Sequence, residues 1–178
     1  YPAHRVPLVD LRDRSEPAWQ ALAAEARARN SRSNLLLGKL GVVAAKQVRA
    51  SAQRVLLVRA QDAPQALAAA ELVFEGVPET LQAKREAFEH INAHCADDAI
   101  LTSTTSSILV TQIAQFVRRP QRFLNIHWLN PAYVIPVVEL SCHAGTDPAV
   151  LARAKALMEE IGKLPVVCGP TPGYIVPR

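Results

Sequence analysis

The sequence predicts an α/β protein in which a mostly parallel sheet is covered by helices on both faces. Three observations lead there. Short apolar runs alternate with helix-forming stretches along the chain. Those runs are near-continuous in Val, Ile and Leu, as strands buried on both faces require. Polar and ionisable residues collect where the runs stop, and in such sheets ligands sit beyond the carboxyl ends of the strands. At 178 residues and 49% hydrophobic, the chain is long enough for one cored domain.

The elements follow in order. "RVPLVDL" (5–11) reads as a strand ending in an acid. Ser15 is placed to cap a helix, with Pro17 in its first turn, and an Ala-rich helix runs from Glu16 towards Gly38 or Gly41. "VVAAKQVRAS" (42–51) is a candidate second helix. "RVLLVRA" (54–60) and "AAELVFEGV" (69–77) are strands, the latter closed by Gly76 and Pro78. From Glu79 the spacing predicts a helix with Leu81, Phe88 and Ile91 on one face. "AILTS" (99–103) is a strand, and a short helix after Thr111 turns Ile113 and Phe116 inward.

"RFLNIHW" (122–128) and "YVIPVVEL" (133–140) are strands joined by a tight Asn-Pro turn. Asp147 and Pro148 open a helix whose core stripe is Val150, Leu151, Ala154, Leu157, Met158 and Ile161, with Gly162 as its stop. "LPVVCG" is the last strand.

Composition excludes several functions. The net charge of +4 is mild and the basic residues are scattered. The densest patch, Arg27, Arg29 and Arg32, reads as a solvated helix face rather than a nucleic-acid surface. Aromatics are not interleaved with basic residues, so base stacking is not expected. Cys95, Cys142 and Cys168 are odd in number and lack CxxC spacing, which suits reduced thiols in the cytoplasm. His90 and His94 are spaced i, i+4 but lack a third ligand, so no metal site is expected. No apolar run reaches the roughly 18 residues a membrane span needs.

Residues that could carry chemistry stand at the strand ends. Asp10 ends the first strand. In a dinucleotide-binding fold an acid there accepts hydrogen bonds from the adenosine ribose and repels a 2′-phosphate; as a turn residue or cap it would do neither. Arg12 and Arg14 stand close by, so a preference for NAD over NADP is not absolute. Glu75, Gly76 and "TSTTSS" (102–107) fall at strand ends too. The hydroxyls serve either turn capping or a ligand rim. His127 ends one apolar run, and Glu139 lies in the next. Side by side, the carboxylate would fix the imidazole tautomer and make the other nitrogen a better base. The alternative is a satisfied core histidine and a glutamate facing water.

The stretches "ELVFEGVPETLQAKREAF", "AILTSTTSSILVTQIA", "RPQRFLNIHWLNP", "VVEL" and "IGKLPVVCGPTPGYIVPR" resemble, in order and spacing, the NAD-binding domain of the L-3-hydroxyacyl-CoA dehydrogenase family. The resemblance covers nearly the whole chain and is densest over 69–178. It implies a Rossmann-type domain, NAD as cofactor, and oxidation of an L-3-hydroxyacyl-CoA to the 3-oxoacyl-CoA by a homodimeric parent enzyme of fatty acid metabolism. By matching position, His127, in a histidine-x-x-asparagine-proline motif, would be the catalytic base and Glu139 its partner. Ser106 and Asn130 would hold the substrate's 3-oxygen and its surroundings. Asp10 would meet the adenosine ribose. Glu79 and Lys84 would lie near the nicotinamide half, with Gly76 and Thr104 also on the cofactor side.

Three departures from the family pattern stand out. Many members have asparagine where Thr104 stands. The segment "HWLNPAYVIPVVEL" also resembles relatives that oxidise L-gulonate or L-carnitine, which makes a small 3-hydroxy acid the alternative substrate. The family's glycine-rich strand and turn would precede "HRVPLVDL", and its helical domain would follow "PGYIVPR". Residues 1–178 are therefore expected to be a partial NAD-binding domain without the C-terminal helical domain. The first strand is central in the order 3-2-1-4-5-6, so the sheet is expected in two parts. A non-catalytic fragment is the reading from another class.

Overall fold

The computed structural model describes residues 6–10, 15–25, 55–130, 132, 134–171 and 174. The expected helix beyond residue 25, the second helix at 42–51, and the Arg27, Arg29 and Arg32 patch lie outside the described residues, as do Arg12 and Arg14. Two compact units are present, one up to Ala66 and one from Leu67.

In the first unit, β1 (Val6–Asp10) and β2 (Val55–Arg59) pair in parallel, with Asp10 opposite Arg59. Between them a helix, α1, is described over 16–25. Ser15 takes the capping place, and its carbonyl accepts from the Trp19 amide at 2.9 Å. A 3-10 turn and the short helix α2 (Ala63–Ala68) follow β2.

The second unit is built on a five-stranded sheet. Its strands are β3 (Leu72–Glu75), β4 (Ile100–Ser103), β5 (Phe123–Trp128), β6 (Val137–Ser141) and β7 (Leu164–Cys168), in that spatial order. Only β5 and β6 are antiparallel. Helix α3 (Leu81–His94) joins β3 to β4, and Thr80 caps it by accepting from the Ala83 amide at 3.2 Å. The one-turn helix α4 (Val110–Ile113) follows β4. Helix α5 (Pro148–Glu160) joins β6 to β7; Asp147 accepts from the Ala149 amide at 2.8 Å, with Pro148 at the first position. None of the described helices is long and apolar enough to cross a membrane.

Two apolar clusters lie on opposite faces of this sheet, because successive strand side chains point to opposite sides. Phe88, Ile91, Leu101, Val110, Ile113 and Phe123 form one cluster, under α3 and α4. Ile100, Leu124, Ile126, Val138, Leu140, Val150, Ala154 and Met158 form the other, under α5. On β5 the first face reads Phe123, Asn125, His127. It turns from apolar to polar towards the carboxyl end of the strand, while the α5 face stays apolar throughout.

The structure corrects three expectations. Strand β6 begins at Val137, and the described residues 134–136 before it are not strand, so the link from β5 is longer than a tight turn. Pro136 has no amide proton to donate to a ladder, so regular pairing starts only after it. The Lys163 ammonium holds the loop instead, donating to the Ala132 carbonyl and, at 3.0 Å, to that of Ile135. Second, Leu81 is 41% exposed, and the inward face of α3 begins one turn later, at Lys84. Third, Ile161 is 59% exposed, because the helix ends before it and Gly162, at φ +80°, turns the chain away.

Phe88 and Phe123 meet edge to face at 5.4 Å, and both are fully buried. Phe123→Ala is expected to destabilise the protein by about 3–5 kcal/mol, measured as a shift in denaturant unfolding. A loss below about 1 kcal/mol would show that this cluster is not the core of the unit.

Candidate active site

The carboxyl ends of β3, β4 and β5 bring most of the expected residues together. His127 and Glu139 are register partners across the antiparallel pair β5 and β6. His127 Nδ1 lies 2.7 Å from Glu139 Oε2, and Nε2 lies 3.2 Å from Ser106 Oγ. Both members of the pair are buried. A carboxylate only accepts hydrogen bonds, so Nδ1 carries the proton in this contact. In the neutral imidazole of that tautomer, Nε2 keeps a lone pair facing Ser106.

Ser106 sits in the turn after β4, and that turn is organised around one carboxylate oxygen. Glu79 Oε1 accepts from the amides of Ser106 and Ser107 and from the Ser107 hydroxyl, each at 3.0 Å, and from the Thr105 hydroxyl. Burial by itself would raise the Glu79 carboxyl. Hydrogen bonds from Thr105 and Ser107 and the Lys84 charge outweigh it, and the group is lowered to about 2.

Lys84 is 1% exposed and lies on the inward face of α3. Its ammonium is 3.1 Å from both oxygens of Glu75 and 3.3 Å from Glu79 Oε2. Glu75 also accepts from Ser103 Oγ at 2.7 Å and from the Val77 amide at 2.8 Å, so this buried carboxylate is fully satisfied. Lys84 therefore bears on the site through the two glutamates.

The remaining expected residues are placed differently. Thr102 and Ser103 lie buried within β4, so only 104–107 extend beyond it. Thr104 is turned back on β3, its amide and hydroxyl donating to the Glu75 carbonyl at 3.0 and 3.1 Å. Gly76 is exposed at the end of β3. Asn130 is exposed in the loop 129–136 and is not part of the group formed by Glu139, His127 and Ser106. Asp10 ends β1, in the other unit.

Sequence reasoning missed several supports. Buried Asn125 donates to the Thr105 carbonyl at 3.1 Å and so fastens the Ser106 turn from below. Its position two residues before His127, on the same face of β5, was the available signal. Tyr174 packs its ring on His127. No local pattern in the sequence points to that contact. Cys95, Cys142 and Cys168 are free thiols, each pushed above the ordinary value chiefly by burial.

Two outcomes are expected from the charged cluster. Lys84→Met leaves Glu75 buried without a counter-charge, a change that typically destabilises by about 3–5 kcal/mol. Adding Glu75→Gln should recover part of that in denaturant unfolding, and an additive double variant would refute the pairing. Glu79 has a lowered carboxyl, so its stabilising contribution is present above the unfolded value of 4.5 and is lost as pH falls towards about 2. The Tm difference between wild type and Glu79→Gln should accordingly shrink between pH 6 and pH 3, and a constant difference would contradict the arrangement.

Comparison with known proteins identifies the family of the chain. The family model described as "3-hydroxyacyl-CoA dehydrogenase, NAD binding domain" matches residues 4–171. The chain is 40% identical over 113 residues to the 3-hydroxyadipyl-CoA dehydrogenase of Escherichia coli K12, covering 64% of this chain and 24% of that protein. It is 34% identical over 118 residues to the 5-formyl-3-hydroxy-2-methylpyridine 4-carboxylate 5-dehydrogenase of Mesorhizobium japonicum, covering 66% and 38%. The crystal structure of 3-hydroxybutyryl-CoA dehydrogenase from Escherichia coli K12 superposes with a TM-score of 0.82 at 32% identity, covering 97% of this chain and 34% of that one. The chain thus spans well under half the length of these proteins. With the family model matched along almost the whole sequence, the chain belongs to the 3-hydroxyacyl-CoA dehydrogenase family, as its NAD-binding domain.

Proposed function

We propose that the protein containing this chain oxidises an L-3-hydroxyacyl-CoA to the 3-oxoacyl-CoA with NAD, and that His127 is the general base. The observation that carries the reading is the placement of one imidazole between a buried carboxylate, 2.7 Å from Nδ1, and a serine hydroxyl, 3.2 Å from Nε2. A core histidine needs only satisfied nitrogens. This one keeps its second nitrogen at the carboxyl end of the sheet, where ligands of such folds bind.

In this mechanism the substrate hydroxyl lies beside Nε2 and Ser106 Oγ, within hydrogen-bond reach of both. His127 takes its proton, and Ser106 holds the oxygen as it becomes a carbonyl. Glu139 stays ionised and offsets the imidazolium that forms. Asn130 orients the substrate from the loop 129–136. Bound NAD supplies the hydride acceptor. Gly76 supports the fit of that cofactor. Among the described residues a Cβ there would meet only Thr104 Oγ1, at 3.6 Å, an ordinary contact, so no packing among them demands a glycine. The missing side chain instead leaves the rim of β3 and β4 open. Glu79, with Lys84 behind it, and Thr104 line the same rim, and Asp10 takes the adenosine ribose. A homodimeric parent enzyme and an acyl-CoA substrate complete the proposal.

In the intact protein, His127→Gln should lower kcat by about 10²–10⁴ while NADH still binds. Near-normal turnover would return His127 to a packing role. Acetoacetyl-CoA reduction with NADH should exceed oxidation of gulonate or carnitine in kcat/KM, and the reverse order would replace the thioester with a small 3-hydroxy acid.

A further inference from the structure

We propose that Tyr174 is a positioning residue of the site, holding the imidazole of His127 and the Ser106 turn in one arrangement; this rests on the reading of His127 as the base. The Tyr174 ring lies 5.3 Å from the His127 ring, centroid to centroid, tilted by 33°. Its hydroxyl donates to the Ile108 carbonyl at 3.1 Å, at the far end of the turn that carries Ser106. One side chain thus touches both halves of the contact between His127 and Ser106. Glu139 and Ser106 hold the imidazole only at its edge, through its two nitrogens, which leaves the ring free to tilt about the line between them. An aromatic face against the ring removes that freedom and keeps water from that side.

The cost of the arrangement is visible in the backbone. Tyr174 has φ 45°, and it is the one non-glycine residue with positive φ among the described residues. A bulky side chain in the left-handed region is disfavoured, and such strain persists where the surroundings over-determine it. Here the surroundings are a buried ring and a buried hydroxyl, with the residue 2% exposed. Burial first, then the Glu79, Cys168 and Glu139 groups, push the phenol well above its ordinary value, so the hydroxyl stays a donor.

Two variants in the intact protein separate the ring from the hydroxyl. Tyr174→Phe keeps the ring and should lower kcat by no more than about tenfold. Tyr174→Leu removes the ring and should lower kcat by about 10², with NADH affinity unchanged within about twofold. The His127 ring resonances should move in Tyr174→Leu and hold in Tyr174→Phe, a readout independent of turnover. A cycle with His127→Gln completes the test. If Tyr174 acts through His127, Tyr174→Leu should cost little further once the imidazole is gone. Additive losses, unmoved His127 resonances, or a parallel loss of NADH affinity would overturn the proposal. A His127→Gln protein with normal turnover would instead overturn the base itself, and the positioning role with it.

Discussion

The register between β5 and β6 governs the geometry of the candidate site. His127 and Glu139 face each other because Trp128 pairs with Val138 and Asn125 with Ser141. The side-chain period of a strand is two, so a slip of one residue would send Glu139 to the α5 face and an apolar residue towards the imidazole. The apolar face forbids that slip. Leu124, Ile126, Val138 and Leu140 are all fully buried, together with Val150, Ala154 and Met158 of α5. Placing Glu139 among them would bury a carboxylate with no counter-charge. The pairing of two ionisable groups is thus enforced by hydrocarbon packing on the other side of the sheet.

The second half of the site, the Ser106 turn, depends on a different kind of interaction. Its amides point at Glu79, and Glu79 is held against Lys84, which is shared with Glu75. An ammonium this buried is tolerable only because two carboxylates and Ser103 surround it. The chain of contacts runs from the inward face of α3, through two carboxylates, to the turn that faces His127 Nε2. Asn125 and Tyr174 hold the same turn by its carbonyls. The 3.2 Å contact between His127 and Ser106 is in this way supported from β3, α3 and β5 at once.

Much of this was legible in the sequence. Near-continuous apolar strands, the Asp147–Pro148 helix start and the Gly162 stop are local signals with local causes, and each recurs in the structure. The approach of His127 to Glu139 was legible as well, since two adjacent strands with a short link can hardly avoid each other. The length of that link was not. Pro136 and the Lys163 ammonium, the latter from a distant part of the chain, decide where β6 begins.

By itself the sequence determined the fold class, the order of the elements and the residue types available at the strand ends, because propensity, capping and hydrophobic period act over a few residues. Tertiary structure alone decided that Lys84 would be interred between two glutamates rather than exposed at the rim. It also decided that Leu81 would face out, and that Tyr174 would lie on His127 from 47 positions away along the chain. These depend on which surfaces meet once the sheet is assembled. A charged residue on an amphipathic helix reads as solvated until the partner that neutralises it, on another strand, is in place.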